Sequence, residues 1–78
     1  MTRQEILEVL TDENGRFKHK VRQSIADRVN CTYATIYNVL QDRKVAISEE
    51  MRLKVLSASK DEAQRIKQQQ ELINKYEI

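Results

Sequence analysis

The sequence predicts an all-α protein of four or five helices. Its 78 residues include one glycine and no proline, so the usual residues of tight turns in sheet-rich proteins are scarce. Apolar side chains recur at intervals of three and four, which is the spacing of one helix face. A chain of this length forms one small domain with a thin core, because it buries only about 60% of the surface that its unfolded form exposes.

The first helix is predicted from its cap and its apolar stripe. Thr2 is followed three residues later by Glu5, which is the pattern of a capping box. The stripe that follows consists of Ile6, Leu7, Val9 and Leu10. We expect Asn14 and Gly15 to end this helix, since both residues tolerate the left-handed conformation. A β-hairpin around Asn14 and Gly15 is the alternative, although the flanking residues do not alternate cleanly.

Two shorter helices are predicted in the middle of the chain. The first runs from about Lys20 to Val29 on a stripe of Val21, Ile25, Ala26 and Val29, and Asn30 breaks it. Thr32 is a good cap for the next helix, which runs to about Gln41 and buries Ile36, Val39 and Leu40. Only about three residues separate the two helices.

A fourth helix is predicted to begin after Ser48, with acidic residues in its first turn, where negative charge suits the helix dipole. Its apolar face consists of Met51, Val55, Leu56 and Leu53. Ser59 and Glu62 form a second capping box, so a fifth helix is predicted to start there. Its stripe is Ala63, Ile66, Ile73 and Tyr76. The alternative is one continuous helix.

The basic charge is concentrated in the middle of the chain. Residues 16–44 contain seven basic and two acidic side chains, a net charge of +5, whereas residues 1–15 carry −3 and residues 45–78 are neutral. This distribution is typical of a segment that faces a polyanion. Two short helices joined by a tight turn, in the same basic segment, are the elements of a helix-turn-helix. Ala26 provides the small residue where the helices cross, Asn30 tolerates positive φ, and Cys31 is a small apolar plug.

The run IADRVNCTYATIYNVLQDRKVAISEEMRLKVL, residues 25–56, resembles the helix-turn-helix headpiece of lactose-repressor-type regulators and, more distantly, phage-repressor domains. Asn30 stands where the family has glycine, one extra residue lies near Val45, and residues 1–20 have no counterpart in the lactose-repressor headpiece. An N-terminal helix is a feature of the phage-repressor domains. The resemblance implies a transcription regulator of bacterial or mobile-element origin. The effector-binding domain of the large regulators has no counterpart in these residues, so we expect no small-molecule effector domain.

The family geometry implies that the helix of residues 32–41 reads the major groove of double-stranded DNA. The expected base-reading residues are Thr32, Tyr33, Ala34, Tyr37 and Asn38. Asn38 can pair bidentately with adenine, Ala34 can touch a thymine methyl group, and Tyr33 resembles the family's base-contacting tyrosine. The expected phosphate-binding residues are Lys18, Lys20, Arg22, Arg43 and Lys44. Surface packing is the alternative role for Tyr33 and Tyr37.

We expect residues 1–58 to form a DNA-binding domain and residues 59–78 to form a C-terminal helix. This helix is expected either to pack on the domain or to mediate dimerisation. Ile66 and Ile73 lie seven residues apart, which suits a short two-helix seam, although Gln69 and Gln70 weaken it. The alternative function is therefore a protein-interaction adaptor or antitoxin-like module that uses this helix.

Several other classes of protein are disfavoured. One cysteine and one histidine allow neither an internal disulfide nor a Cys/His zinc site. We expect a non-enzyme without cofactor, because the chain has no glycine-rich phosphate loop and is too short to build a substrate cleft. We also expect a cytoplasmic protein that binds no membrane, since no apolar stretch approaches about 18 residues.

Overall fold

The computed structural model describes residues 1–76, which form four α-helices. They are α1 (Arg3–Leu10), α2 (Val21–Val29), α3 (Tyr33–Leu40) and α4 (Glu49–Tyr76). One isolated antiparallel bridge pairs Thr11 with Phe17. The predicted all-α class is therefore confirmed. Within the described residues, no helix is both long enough and apolar enough to cross a membrane.

Three helices begin at the caps that the sequence predicts. The Thr2 hydroxyl accepts the Glu5 N–H over 3.2 Å, and the Thr32 hydroxyl accepts the Thr35 N–H over 3.3 Å. The Ser48 hydroxyl accepts the Met51 N–H over 3.2 Å at the start of α4. Each hydroxyl satisfies one of the backbone N–H groups that a helix N-terminus leaves without an intrahelical partner.

The connection between α2 and α3 is tight because Asn30 adopts the left-handed conformation. Its φ is 60°, as the sequence predicts, and its N–H donates to the Ala26 carbonyl over 2.7 Å. The Cys31 N–H donates to the same carbonyl over 3.2 Å. Cys31 is half-buried, and this burial raises the pKa of its thiol, so the side chain stays uncharged at neutral pH.

A single core joins α1, α2 and α3 to the first half of α4. Its largest fully buried apolar side chains are Leu10, Ile25, Ile36, Leu40 and Val55. Ala26 and Ala63 are also buried, and Ile66 packs against the edge of the core. Leu53 is an exception to the predicted apolar face of α4, because its side chain is 62% exposed.

The first helix ends earlier than predicted. α1 stops at Leu10 instead of at Asn14 and Gly15, and residues 11–18 form a hairpin loop. The Asp12 carboxylate accepts the N–H groups of Asn14 and Arg16, over 2.9 and 3.0 Å. The Asp12 N–H donates to the Arg16 carbonyl over 2.7 Å. These bonds stabilise a local turn that competes with a longer helix.

Of the two alternatives for this segment, the structure shows one continuous helix, because α4 runs without a break from Glu49 to Tyr76 and no fifth helix starts at Ser59. Ser59 and Glu62 are buried in the middle of this helix, so their capping pattern does not act as a cap. The predicted domain boundary at residue 58 therefore lies inside one helix. Beyond Ile66 the helix is exposed, including Ile73 and Tyr76. The last residues of the predicted segment, 77 and 78, lie outside the described residues.

Candidate nucleic-acid interface

The helix α3 has one buried side and one side open to solvent. Ile36 and Val39 are buried against the core. The predicted base-reading residues lie away from it, with Thr32, Tyr33 and Ala34 exposed and Tyr37 and Asn38 half-buried. The Thr32 hydroxyl is engaged at the start of the helix, where it lies 3.0 Å from the Thr35 hydroxyl.

The first turns of α2 and α3 lie next to each other. The guanidinium carbon of Arg22 lies 5.0 Å from the centre of the Tyr33 ring, which is within the range of a cation–π interaction. Both side chains remain exposed.

The hairpin loop adds Phe17 to this surface. The Phe17 and Tyr37 rings meet edge to face, with centroids 5.9 Å apart and planes at 65°. Arg22 also lies over Phe17, with 5.9 Å between its guanidinium carbon and the ring centre. Phe17 is not among the site residues predicted from the sequence. The local sequence feature that points to Phe17 is its position between two basic residues, Arg16 and Lys18.

The loop between α3 and α4 places Arg43 beside the same surface. The Arg43 guanidinium carbon lies 5.4 Å from the centre of the Tyr37 ring, and its Nη2 donates to Gln41 over 3.2 Å. Arg52 of α4 fixes the loop, because its Nη2 donates to the carbonyls of Arg43 and Val45 over 3.0 and 3.3 Å. The Tyr37 ring therefore contacts both Phe17 of the hairpin loop and Arg43 of this loop.

Three of the five predicted phosphate-binding residues share one cleft. Lys18, Lys20 and Arg22 line a cleft of about 340 Å³ together with His19, Gln23 and Tyr33. The Arg43 guanidinium lies over the Tyr37 ring, outside this cleft. Lys44 is exposed in the same loop as Arg43 and does not line the cleft. Lys20 has a left-handed backbone, with φ of 63°.

The surface combines guanidinium and ammonium donors with aromatic faces and the amide side chains of Gln23, Asn38 and Gln41. Cationic donors recognise phosphates, which are negatively charged acceptors, and amide side chains recognise base edges, which present both donors and acceptors. Within residues 1–76, no group of three His, Cys, Asp or Glu side chains is placed to hold a metal ion. Comparison with protein-family models, curated proteins and solved structures finds no match to this chain.

Proposed function

We propose that this protein binds double-stranded DNA in a sequence-specific manner and acts as a transcription regulator. In this proposal α2 and α3 form a helix-turn-helix, and α3 enters the major groove. The supporting observation is the exposed side of α3, where Tyr33, Ala34 and Asn38 are flanked by two arginines held on aromatic rings. An α-helix with its side chains is about 10–12 Å across, which matches a major groove about 12 Å wide.

Five residues within α3 or at its cap are proposed to read bases. The Asn38 amide can donate to and accept from one adenine, and the Ala34 methyl group can contact a thymine methyl group. Tyr33 is 46% exposed at the start of the helix and can reach a base edge. Thr32 and Tyr37 remain proposed base-reading residues; the Thr32 hydroxyl also caps the helix, and the Tyr37 ring also contacts Arg43.

The basic residues are proposed to bind the DNA backbone. Arg22 and Arg43 are partly immobilised by their aromatic partners, so each loses less conformational entropy when it binds a phosphate. Lys18, Lys20 and Lys44 are exposed and carry no aromatic contact of this kind in the described part of the chain. They contribute charge to the same electrostatic attraction.

A selection from a random duplex pool, followed by salt titrations with the full chain, tests the proposal. Each phosphate contact contributes about 0.9 to the slope of log affinity against log salt concentration. Arg43→Ala is expected to weaken binding to every sequence and to reduce this slope by about 1. The control is Lys67→Ala, because Lys67 is exposed on α4 beyond the core and its loss should leave the slope unchanged. Failure of the full chain to bind any duplex at low salt would contradict DNA binding.

The end of α4 favours a second function, protein interaction. Leu72, Ile73 and Tyr76 are 54%, 50% and 80% exposed. Ile66 and Ile73 are seven residues apart, which is the repeat of a two-helix seam. We propose that this end of the helix pairs with the same helix of a second copy. Sedimentation of the full chain tests this pairing. A dimer that Ile73→Asp converts to a monomer supports it, and a wild-type monomer throughout the titration range contradicts it.

A further inference from the structure

We infer that a second cleft, between the hairpin loop and α3, binds one phosphate of the DNA backbone beside the groove that α3 reads. This inference rests on the proposed DNA-binding function. The cleft has a volume of about 370 Å³ and is lined by Gly15, Arg16, Phe17, Arg22 and Tyr37. It therefore brings together two arginine residues and two aromatic residues from three separate parts of the chain.

At this cleft, hydrogen bonds fix the backbone of the hairpin loop, whereas the Arg16 side chain is exposed to solvent. The Arg16 N–H is bonded to the Asp12 carboxylate, and the Arg16 carbonyl accepts the Asp12 N–H. Gly15 has a φ of 78°, a conformation that side-chain-bearing residues rarely adopt. The Lys18 N–H closes the base of the loop on the Leu10 carbonyl over 2.9 Å. The Arg16 side chain itself is exposed.

The charges of Arg16 and Arg22 are not neutralised within the part of the chain that the structure describes. The ion pairs there are Arg28–Asp61, Lys54–Glu50 and Arg65–Glu62. The Asp12 carboxylate, the acidic group bonded to the Arg16 backbone, accepts two backbone N–H groups through one oxygen. Two arginines that form no ion pair with the described residues therefore line one cleft, and their charge favours an anion. An anion with several acceptor oxygens fits best, because each guanidinium group presents its donors as a planar fork.

The position of the cleft favours a DNA phosphate as that anion. The Phe17 ring lines the cleft and contacts Tyr37 on α3. Arg22 contacts both Phe17 and Tyr33, and Tyr33 lies one turn before Tyr37 on α3. The cleft thus lies alongside the side of α3 proposed to enter the groove. Backbone phosphates border the major groove along its whole length, so a helix in the groove brings this cleft to one of the two strands.

Neutral methylphosphonate groups test the inference. The probe is the duplex that the wild-type protein selects, carrying one substitution at a time along each strand. We expect one backbone position at which the substitution weakens wild-type binding more than it weakens binding of Arg16→Ala, because Arg22 still lines the cleft when Arg16 is replaced. Arg16→Ala should also lower affinity roughly tenfold, as for the loss of one hydrogen bond to a charged group. Its salt slope should fall by about 1. Arg16→Lys should recover the slope but only part of the affinity, since lysine keeps the charge and loses the fork.

The outcomes separate this inference from the proposed function. If the wild-type protein selects a duplex and Arg16→Ala binds it with unchanged affinity and slope, the cleft binds no phosphate, and the DNA-binding function stands. If the wild-type protein binds no duplex, both proposals fail. Lys67→Ala provides the control, because Lys67 is exposed on α4 beyond the core and its loss should leave the affinity, the salt slope and the methylphosphonate sensitivity as in the wild type. Melting curves of Arg16→Ala check that the exposed substitution leaves the fold intact.

Discussion

The Nη1 atom of Arg3 donates to the carbonyl oxygen of Leu40 over 2.6 Å, so the first turn of α1 closes the last turn of α3. The final carbonyl groups of a helix lack intrahelical partners, and a cationic donor at that end also suits the helix dipole. Residues 1–20 precede the two central helices and contact α3 at two points. In this chain they support α3 from its C-terminal end through Arg3 and from its outward side through Phe17.

Arg3→Ala should destabilise the protein by about 1–2 kcal/mol. The estimate is the net contribution of a hydrogen bond that has one charged partner, reduced because the site is only partly buried. Chemical denaturation measures the change in the free energy of unfolding. Lys67→Ala removes an exposed cation from α4 and should stay within about 0.5 kcal/mol of the wild type. Equal stabilities of the two variants would show that the Arg3–Leu40 bond contributes nothing.

Ala26→Leu should destabilise the protein by about 1–3 kcal/mol, because Ala26 is buried in the core that α2 shares with α3 and a larger side chain would overpack it. The matched control is Ala34→Leu. It makes the same substitution on the exposed side of α3 and should change stability by less than about 0.5 kcal/mol. Thermal melts compare the two variants. A harmless Ala26→Leu would contradict a close crossing of the two helices.

Ser59→Ala is expected to stabilise the protein. The Ser59 hydroxyl oxygen is buried and has no hydrogen-bond partner among the described residues. An unsatisfied buried polar group costs about 1–3 kcal/mol, and its removal should recover part of that. Ser57→Ala is the control, because Ser57 is exposed two residues earlier in α4 and its replacement makes the same change in helix propensity. The difference between the two variants in chemical denaturation isolates the effect of burial. No difference would show that the Ser59 hydroxyl is satisfied.

The features predicted correctly from the sequence depend on neighbouring residues. The caps at Thr2, Thr32 and Ser48 each use a hydroxyl that bonds an N–H three residues later, and such a bond follows from spacing alone. The left-handed Asn30 is equally local, since Asn adopts that conformation more readily than most residues. The apolar stripes of α2 and α3 predicted the buried residues for the same reason.

The features that were missed depend on contacts between distant segments. Ser59 and Glu62 have a capping pattern, yet burial against the rest of the protein keeps α4 continuous through them, and Ser24 of α2 donates to Glu62 over 3.4 Å. Likewise, no periodicity relates Phe17 to Tyr37, which lie 20 residues apart in the chain and meet only after the helices pack. The predicted end of α1 was too late because Asn14 and Gly15 lie in the turn of a hairpin, which was the alternative prediction, and the side-chain bonds of Asp12 stabilise that turn.

Asn38→Ala separates base reading from folding. The Asn38 carbonyl accepts the Arg43 N–H over 2.9 Å, and this backbone bond survives truncation of the side chain. We therefore expect the free energy of unfolding to change by less than about 0.5 kcal/mol.

The same variant should lose about 1–3 kcal/mol of binding free energy for the selected duplex, because a bidentate contact with one base is removed. Binding to random duplex DNA should change much less, since the phosphate contacts that dominate it are intact. The ratio of the two affinities, measured at one salt concentration for both proteins, is the deciding quantity. A mutant that keeps the wild-type ratio would mean that Asn38 reads no base. Sequence preference would then have to come from the other proposed base-reading residues of α3 and its cap.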